Sequence, residues 1–504
     1  MLIVLIVAVV LLLSGILGLG NLPAADPIVG ISTRTATATP TSTVTPTPTF
    51  IPTSTSTATP TNTPTPTSPP RPSGAILPLI FVTAGEVISG TPVPTQMPYI
   101  DQPEGSINIL LLGTDQRPTS GGYRTDSIFV IGVNPQRQYV TMLSIPRDLW
   151  VYVPIEDKFD RINTVDAWGE SHKVPGGSAS LIKQTLLYNL GIPIDYYARI
   201  DFSGVKQIVD RVGGVEVLAF CPLYDVFPDV SDDQSDIISD PALLATVLTG
   251  TIDIPSPGLY TLDGKHALWF ARSRKSTGDF DRSRRQQQVL RAIWAKIKAN
   301  GLISQLPSLW GDVTSIVQTD LSVNDVGYLA TFAAQLDDSR IKQRAIDKLS
   351  TDGFVAANGA EVLAIAPDRV SAVLQEAFEP PLTNVTSQAS AQIEVWNGSG
   401  QANWDLLAIN RLRSEGFVVT SYGPADHVYS QTQVINFNTT VKGSRSSQLA
   451  RLFNVRSSSN LIDQPTANSP INYRLIVGSD FNSCLPPPAP VQFPTPTPTA
   501  SPVP

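Results

Sequence analysis

Three short apolar runs open the folded part of the chain. Residues 107–112 (INILLL) are apolar on both alternations apart from Asn108, the pattern of a strand buried on both faces of a sheet. Residues 127–133 and 139–145 read as two more strands, divided by the turn at 134–138. Downstream, 175–190 reads as a helix opened by glycines, 195–202 as a strand, 203–212 as an amphipathic helix stopped by Gly213 and Gly214, and 215–218 as a strand. Helices alternating with apolar strands predict a layered α/β domain. The acidic segment 222–257, rich in Pro, Asp and Ser, reads as a surface insertion. Residues 267–274 read as an apolar strand ending in Arg272 and Arg274, which then share one sheet face. After a turn at 275–278 a helix begins, with Val289, Ile293 and Ile297 as its buried stripe. Residues 300–380 are mostly helical in pattern, with a turn and cap at 319–322, and are taken to complete the domain. Beyond a spacer at 381–390, a β-α-β-β-α-β order predicts a small ferredoxin-like domain over 391–480.

Composition changes the picture at the two ends. The chain holds 44 prolines in 504 residues, well above the usual level of about 5%. They concentrate in a Thr/Pro/Ser tract, which sets residues 21–103 apart as a disordered, polyproline-like stalk, and in a tail at 486–504. Residues 1–20 form an uncharged apolar run, and about 20 residues at 1.5 Å each match the roughly 30 Å core of a bilayer. A membrane anchor is expected there, with a cleaved signal peptide as the alternative. Charge then excludes several chemistries. Against 35 basic side chains stand 43 acidic ones, a net charge of -8, which argues against a nucleic-acid partner. His172, His266, His427, Cys221 and Cys484 are far apart, with no zinc-ligand spacing. The two cysteines are equally compatible with one disulfide and with two buried thiols.

The remaining candidates are carboxylates and guanidiniums. If the first three strands form an antiparallel meander, one rim collects Asp115, Arg124, Asp126, Arg147 and Asp148. Carboxylates interleaved with arginines suit a divalent cation beside an anionic oxygen cluster. Traced backward, the stripe of the long helix passes through Gln286, Arg285 and Arg282, with Asp279 at the turn. Charges on a core-facing side are costly unless paired or facing a ligand. Arginine rather than lysine at 124, 147, 272, 274 and 282 points to two-pronged recognition of phosphate oxygens, and a diphosphate with a cation fits best.

The motifs GTD (113–115), YRTDSI (123–128), SIPRD (144–148), DRVGGVEV (210–217) and RSRKSTGDFDRSRRQQ (272–287) resemble, in order, those of the LytR-CpsA-Psr family, and the strand followed by NGSG near 397 resembles the LytR C-terminal domain. The resemblance implies a layered α-β-α catalytic domain with a central mixed sheet over 104–380. It implies an envelope phosphotransferase that moves a glycopolymer from a polyprenyl diphosphate carrier to a peptidoglycan hydroxyl, on the outer face of a cell membrane. It further implies magnesium at Asp115 and Asp126, the diphosphate held by Arg124, Arg147, Arg272, Arg274, Arg282 and Gln286, and Asp279 as the other functional carboxylate. Asp281, in Asp279-Phe280-Asp281-Arg282, departs from the family's DxGR and leaves open which carboxylate acts. A non-catalytic scaffold for lipid-linked or wall glycans and a polyprenyl diphosphate hydrolase are the alternatives.

Overall fold

The computed structural model of the chain describes residues 87–88, 91–116, 122–228, 249–274, 279–301, 314, 316–336, 340–380, 391–414, 417–438 and 445–484. The expected anchor, nearly all of the stalk and the tail lie outside the described residues. No helix among the described residues is long and apolar enough to cross a membrane.

After a minimal ladder of β1 (Val87–Ile88) with β2 (Thr91–Pro92), the chain forms β3 (Ile107–Thr114), β4 (Thr125–Asn134) and β5 (Tyr139–Ile145). These three make the antiparallel meander that the apolar runs predict. The hairpin β6 (Trp150–Val153) and β7 (Lys158–Arg161) leads into helices α1 (Ile162–Ser171) and α2 (Ser178–Leu190). Strand β8 (Tyr196–Ile200) then pairs in parallel with β3, and α3 (Phe202–Arg211) follows, capped by Asp201, whose carboxylate accepts the Gly204 amide at 2.7 Å. Next come β9 (Val215–Ala219), β10 (Leu223–Pro228), β11 (Thr249–Ile254), β12 (Gly258–Leu262), α4 (Gly264–Arg272) and α5 (Asp279–Ala299). The domain closes with β13 (Gln318–Thr319), α6 (Val323–Gln335), β14 (Ile341–Ala345), the hairpin β15 (Thr351–Val355) and β16 (Glu361–Ile365), and α7 (Pro367–Phe378).

The central sheet runs β13-β8-β3-β4-β5-β14 and is mixed. Successive side chains point to opposite faces, so Ile109, Leu111, Phe129 and Ile131 enter one core with α3, α4, α5 and α6. Leu110, Leu112, Ile128 and Val130 enter a second core with α1, α2 and α7. An α-β-α sandwich results because the three central strands are apolar on both faces.

Several expectations need correction. Residues 267–274 are not a strand. They complete α4, whose start is set by Asp263 accepting the His266 amide at 2.8 Å, and an unbroken apolar run of five residues, 267–271, does not distinguish the two periods. The segment 222–257 is no mere surface insertion, since β10 and β11 pair along its flanks and bury Leu223, Phe227, Ile252 and Ile254 in the core. Residues 300–380 are less helical than their pattern predicts, because β14 joins the sheet edge parallel to β5. Residues 93–103, assigned by composition to the stalk, lie along the domain. Val93 is buried with Tyr152 and Tyr188, and the amides of Met97 and Ile100 donate to the carbonyls of Tyr188 and Gly191 at 2.9 and 3.0 Å.

The C-terminal domain contains β17 (Gln392–Asn397), α8 (Trp404–Ser414), β18 (Val418–Pro424), β19 (Gln433–Asn436), α9 (Ser446–Leu452), β20 (Leu461–Asp463) and β21 (Tyr473–Val477). It is α/β with the helices expected, but it is not a ferredoxin-like split unit. Its sheet runs β18-β17-β21-β19-β20, so β17 pairs directly with β18 in parallel and no strand is inserted between them. The three-residue β20 has too little pattern to be read from sequence, and local periodicity fixes faces rather than neighbours.

Candidate functional site

The rim of the meander is built by a slip in the β3–β4 ladder. Gly113 faces Ser127 while Thr114 faces Thr125, so Asp126 is the extra residue of a bulge, a device that re-aims a side chain at a sheet end. Asp115 follows directly on the partner strand. Its amide donates to the Arg124 carbonyl at 3.1 Å and its carboxylate accepts the Arg124 amide at 2.5 Å. Arg147, two residues past β5, donates to Asp126 at 3.0 Å and to Asp148 at 3.2 Å. Asp148 also faces Arg161 at 3.6 Å.

The second group of arginines arrives from α4 and α5. Arg274 Nη2 stands 3.6 Å from Asp126 Oδ2, across a sequence gap that only the fold closes. Burial alone would raise the Asp126 pKa, but Arg147, Arg282 and Arg274 outweigh it and hold the carboxyl below its ordinary value. Arg282 is itself buried near the start of α5. Arg272, the last residue of α4, lays its guanidinium 4.2 Å from the Phe202 ring centre. The link between them is fastened from below. Buried Asp225 on β10 accepts the Ser273 hydroxyl at 2.8 Å and the Arg274 amide at 3.3 Å. Arg285 donates to the Phe270 carbonyl at 2.9 Å and to the Ser273 carbonyl, closing the C-terminus of α4. Burial pushes the Arg285 guanidinium down to about 10.

Beside this rim a cleft of about 690 Å³, counting its open mouth, runs between the sheet and α3, α4 and α5. Gly113, Thr114 and Ser127 form its rim side, Arg272 and Gln286 supply polar groups, and Leu111, Phe129, Ile208, Val289 and Ile293 line it. Leu181, Leu186 and Leu190 take no part in it, being packed in the core on the opposite face of the sheet.

Of the site residues expected from sequence, Asp115 and Arg124 contact one another, Arg147 and Arg274 converge on Asp126 with Arg282 nearby, and Arg272 and Gln286 share the cleft. Asp279 opens α5, but its side chain lies outside the described residues. Asp281 is turned to Arg284 at 2.9 Å. Sequence reasoning misses Asp225, whose only signal is a lone carboxylate in the apolar run LYDVF. It also misses Arg199 and Asp166, a fully buried ion pair behind the rim. Among the described residues no group of three or more His, Cys, Asp and Glu side chains is placed to hold a metal ion. The carboxylates of Asp115 and Asp126 at this arginine-rich rim are nevertheless of the type that suits a hard cation whose remaining ligands are other oxygens and water.

A three-layer α/β domain with an arginine-rich rim beside an apolar cleft, joined to a smaller α/β domain, defines a class of two-domain α/β protein. The chain belongs to the LytR_cpsA_psr family, which residues 85–379 match, and residues 390–481 match the LytR cell envelope-related transcriptional attenuator domain. It is 33% identical over 220 residues to the polyisoprenyl-teichoic acid–peptidoglycan teichoic acid transferase TagU of Bacillus mycoides (strain KBAB4), covering 43% of this chain and 60% of that protein. It is 30% identical over 295 residues to the protein of the same name from Enterococcus faecalis (strain ATCC 700802 / V583), covering 57% and 79%. The chain therefore spans less than two thirds of the Bacillus relative's length. Among solved structures, that of B. subtilis TagV aligns over 55% of this chain and 98% of its own at 24% identity, with a TM-score of 0.42.

Proposed function

We propose that this protein transfers a glycopolymer from a polyprenyl diphosphate carrier to a hydroxyl of the cell wall, forming a phosphodiester. The observation that carries this reading is the convergence of Arg147, Arg274 and Arg282 on Asp126, beside an apolar cleft lined in part by Arg272 and Gln286. The names of the relatives, teichoic acid transferases, support the same substrate class. The prenyl chain would occupy the cleft, which excludes water from it, and the guanidiniums would receive the diphosphate in their planar forks. Magnesium, held by Asp115, Asp126 and the diphosphate oxygens, would neutralise charge developing on the leaving phosphate. The acceptor oxygen bonds to the phosphorus that bears the glycan, the bridging P–O bond breaks, and polyprenyl phosphate departs. The hydroxyl proton passes to a carboxylate at the start of α5. Asp279 is the better candidate, since Asp281 is engaged by Arg284. The apolar run at 1–20 would anchor the protein in a membrane, with the folded domains on its outer face and no role for nucleic acid.

The test is turnover of a short-prenyl diphosphate glycan with peptidoglycan fragments and magnesium, using the full chain in detergent. Phosphodiester-linked product with release of prenyl phosphate is expected. Arg274→Ala should lower the rate by about three orders of magnitude, the loss typical of a charge-stabilising arginine in phosphoryl transfer. No turnover and no bound polyprenyl phosphate would leave the protein a scaffold. Release of glycan phosphate with none on the acceptor would make it a hydrolase.

A further inference from the structure

Behind the rim lies a polar network that the mechanism above does not use. Arg199, on β8, and Asp166, on α1, are both buried, and they meet in a two-pronged pair at 2.8 and 2.5 Å. Arg199 also donates to Glu170 at 3.2 Å and to Gln318, its cross-strand neighbour on β13, at 2.6 Å. Stability alone does not explain such a pair. Desolvating two charges costs several kcal/mol, and well-packed apolar residues usually serve a core as well or better.

The outward member of the network is Tyr123. Its hydroxyl lies 2.8 Å from Asp166 Oδ2 and 2.8 Å from Glu170 Oε2, and the Arg199 guanidinium sits 5.5 Å from its ring centre. Tyr123 immediately precedes Arg124, the residue whose amide and carbonyl both bond Asp115. The same network reaches the other side of the rim through α1. The amide of Asn163, in the first turn of that helix, donates to the Arg147 carbonyl at 3.3 Å, and Asp166 lies three residues further on. One buried anchor is thus linked to the Arg124–Asp115 corner through the chain at Tyr123 and to the backbone of Arg147 through α1 at Asn163.

We propose that Tyr123 is a positioning residue, tied down by Asp166, Glu170 and Arg199, that sets Arg124 and Asp115 against Arg147 across the rim. The catalytic consequence rests on the transferase reading, whereas the structural consequence does not. Tyr123→Phe keeps the ring and its packing but removes the hydroxyl that both carboxylates hold. On the transferase reading the prenyl chain in the cleft and the guanidiniums of Arg272, Arg274 and Arg282, none of which Tyr123 touches, would keep most of the donor's affinity, so its KM should stay within about twofold. The corner acts on charge that develops during transfer, so kcat should fall on the order of tenfold or more, as for lost supporting contacts at a charged site.

The experiment is amide hydrogen exchange over 113–126 in the full chain, run alongside donor kinetics and a thermal melt for Tyr123→Phe. Faster exchange at Arg124, an unchanged melting midpoint and a fall in kcat at constant KM are expected. A second variant, Arg199→Met with Asp166→Leu, replaces the buried pair by apolar residues and guards against a folding artefact. It should fold, and it should show the same exchange and kcat changes. Native exchange at Arg124 in both variants would overturn the proposal, as would wild-type kcat in both. If the wild type itself transfers nothing, the transferase reading fails, and exchange at Arg124 still decides whether Tyr123 positions the corner.

Discussion

Asp126 reaches the arginines because one residue is gained in the β3–β4 ladder, and its charge state follows from where that bulge puts it. Burial raises its pKa and three guanidiniums lower it further than burial raises it, so the folded value lies below the unfolded one. The ionised carboxylate then contributes stability that is fully present above the unfolded pKa, near 3.9, and is lost as pH falls through the folded value. We predict that the melting midpoint of the wild type exceeds that of Asp126→Asn at pH 6 and that the gap closes toward pH 2. A gap that persists at pH 2 would mean that the side chain acts by shape rather than by charge. The residues at this rim were legible because they cluster at strand ends in a chain poor in charge. Arg199, Asp166 and Asp225 were not, because each is a lone charge inside an apolar stretch and its partner is distant in sequence. The available signal was physical: a charge in a buried strand demands a partner.

At the scale of elements, two arginines are aimed by a helix end and not by a strand. The reading of 267–274 as a strand placed Arg272 and Arg274 on one sheet face. In the fold, α4 stops at Arg272 and the chain turns at Ser273, so Arg272 stays over Phe202 while Arg274 swings toward Asp126. An N-cap signal was present at Asp263, one residue before Gly264, and it outweighs an ambiguous apolar run. The turn is held by Asp225 from the β10–β11 hairpin, the segment whose composition suggested a surface insertion. Asp225→Ala would leave the buried Ser273 hydroxyl and the Arg274 amide without that acceptor, at a cost of about 1 to 3 kcal/mol. Transfer should fall more than stability does, because the turn that aims Arg274 is released. Denaturant midpoints measured together with turnover check this. A loss of stability with turnover intact would show that the hairpin supports the fold without steering the arginine.

For the whole molecule, the two domains are joined a short distance from the helix that carries the site. The C-terminal core takes in Leu218 and Phe220 from the end of β9, and the Ser483 hydroxyl donates to the Phe220 carbonyl at 2.5 Å. Arg284, on α5, sits 5.3 Å from the Phe220 ring centre. On the C-terminal domain's side of the junction Arg411 donates to the Ser483 carbonyl at 3.1 Å, and burial, with the like charge of Arg284 adding to it, pushes its guanidinium down to about 10. Cys221 and Cys484, which sequence alone left as either a disulfide or two thiols, meet here as a disulfide with Cα atoms 5.0 Å apart, although 263 positions separate them. No local pattern could have brought them together, because the pairing depends on how one domain seats on the other. A bridge across so long a loop restricts the unfolded chain by more than about 4 kcal/mol in the loop-entropy account. A protease site engineered into 381–390 offers a direct measurement. After cleavage the two domains should run as one species on a denaturing gel without reductant and as two with it, and Cys221→Ser should run as two in either case. Separation of the unreduced wild-type fragments would show that the cysteines are not joined. Docking would then rest on Leu218 and Phe220 packed against the C-terminal core, and the C-terminal domain should dissociate on dilution.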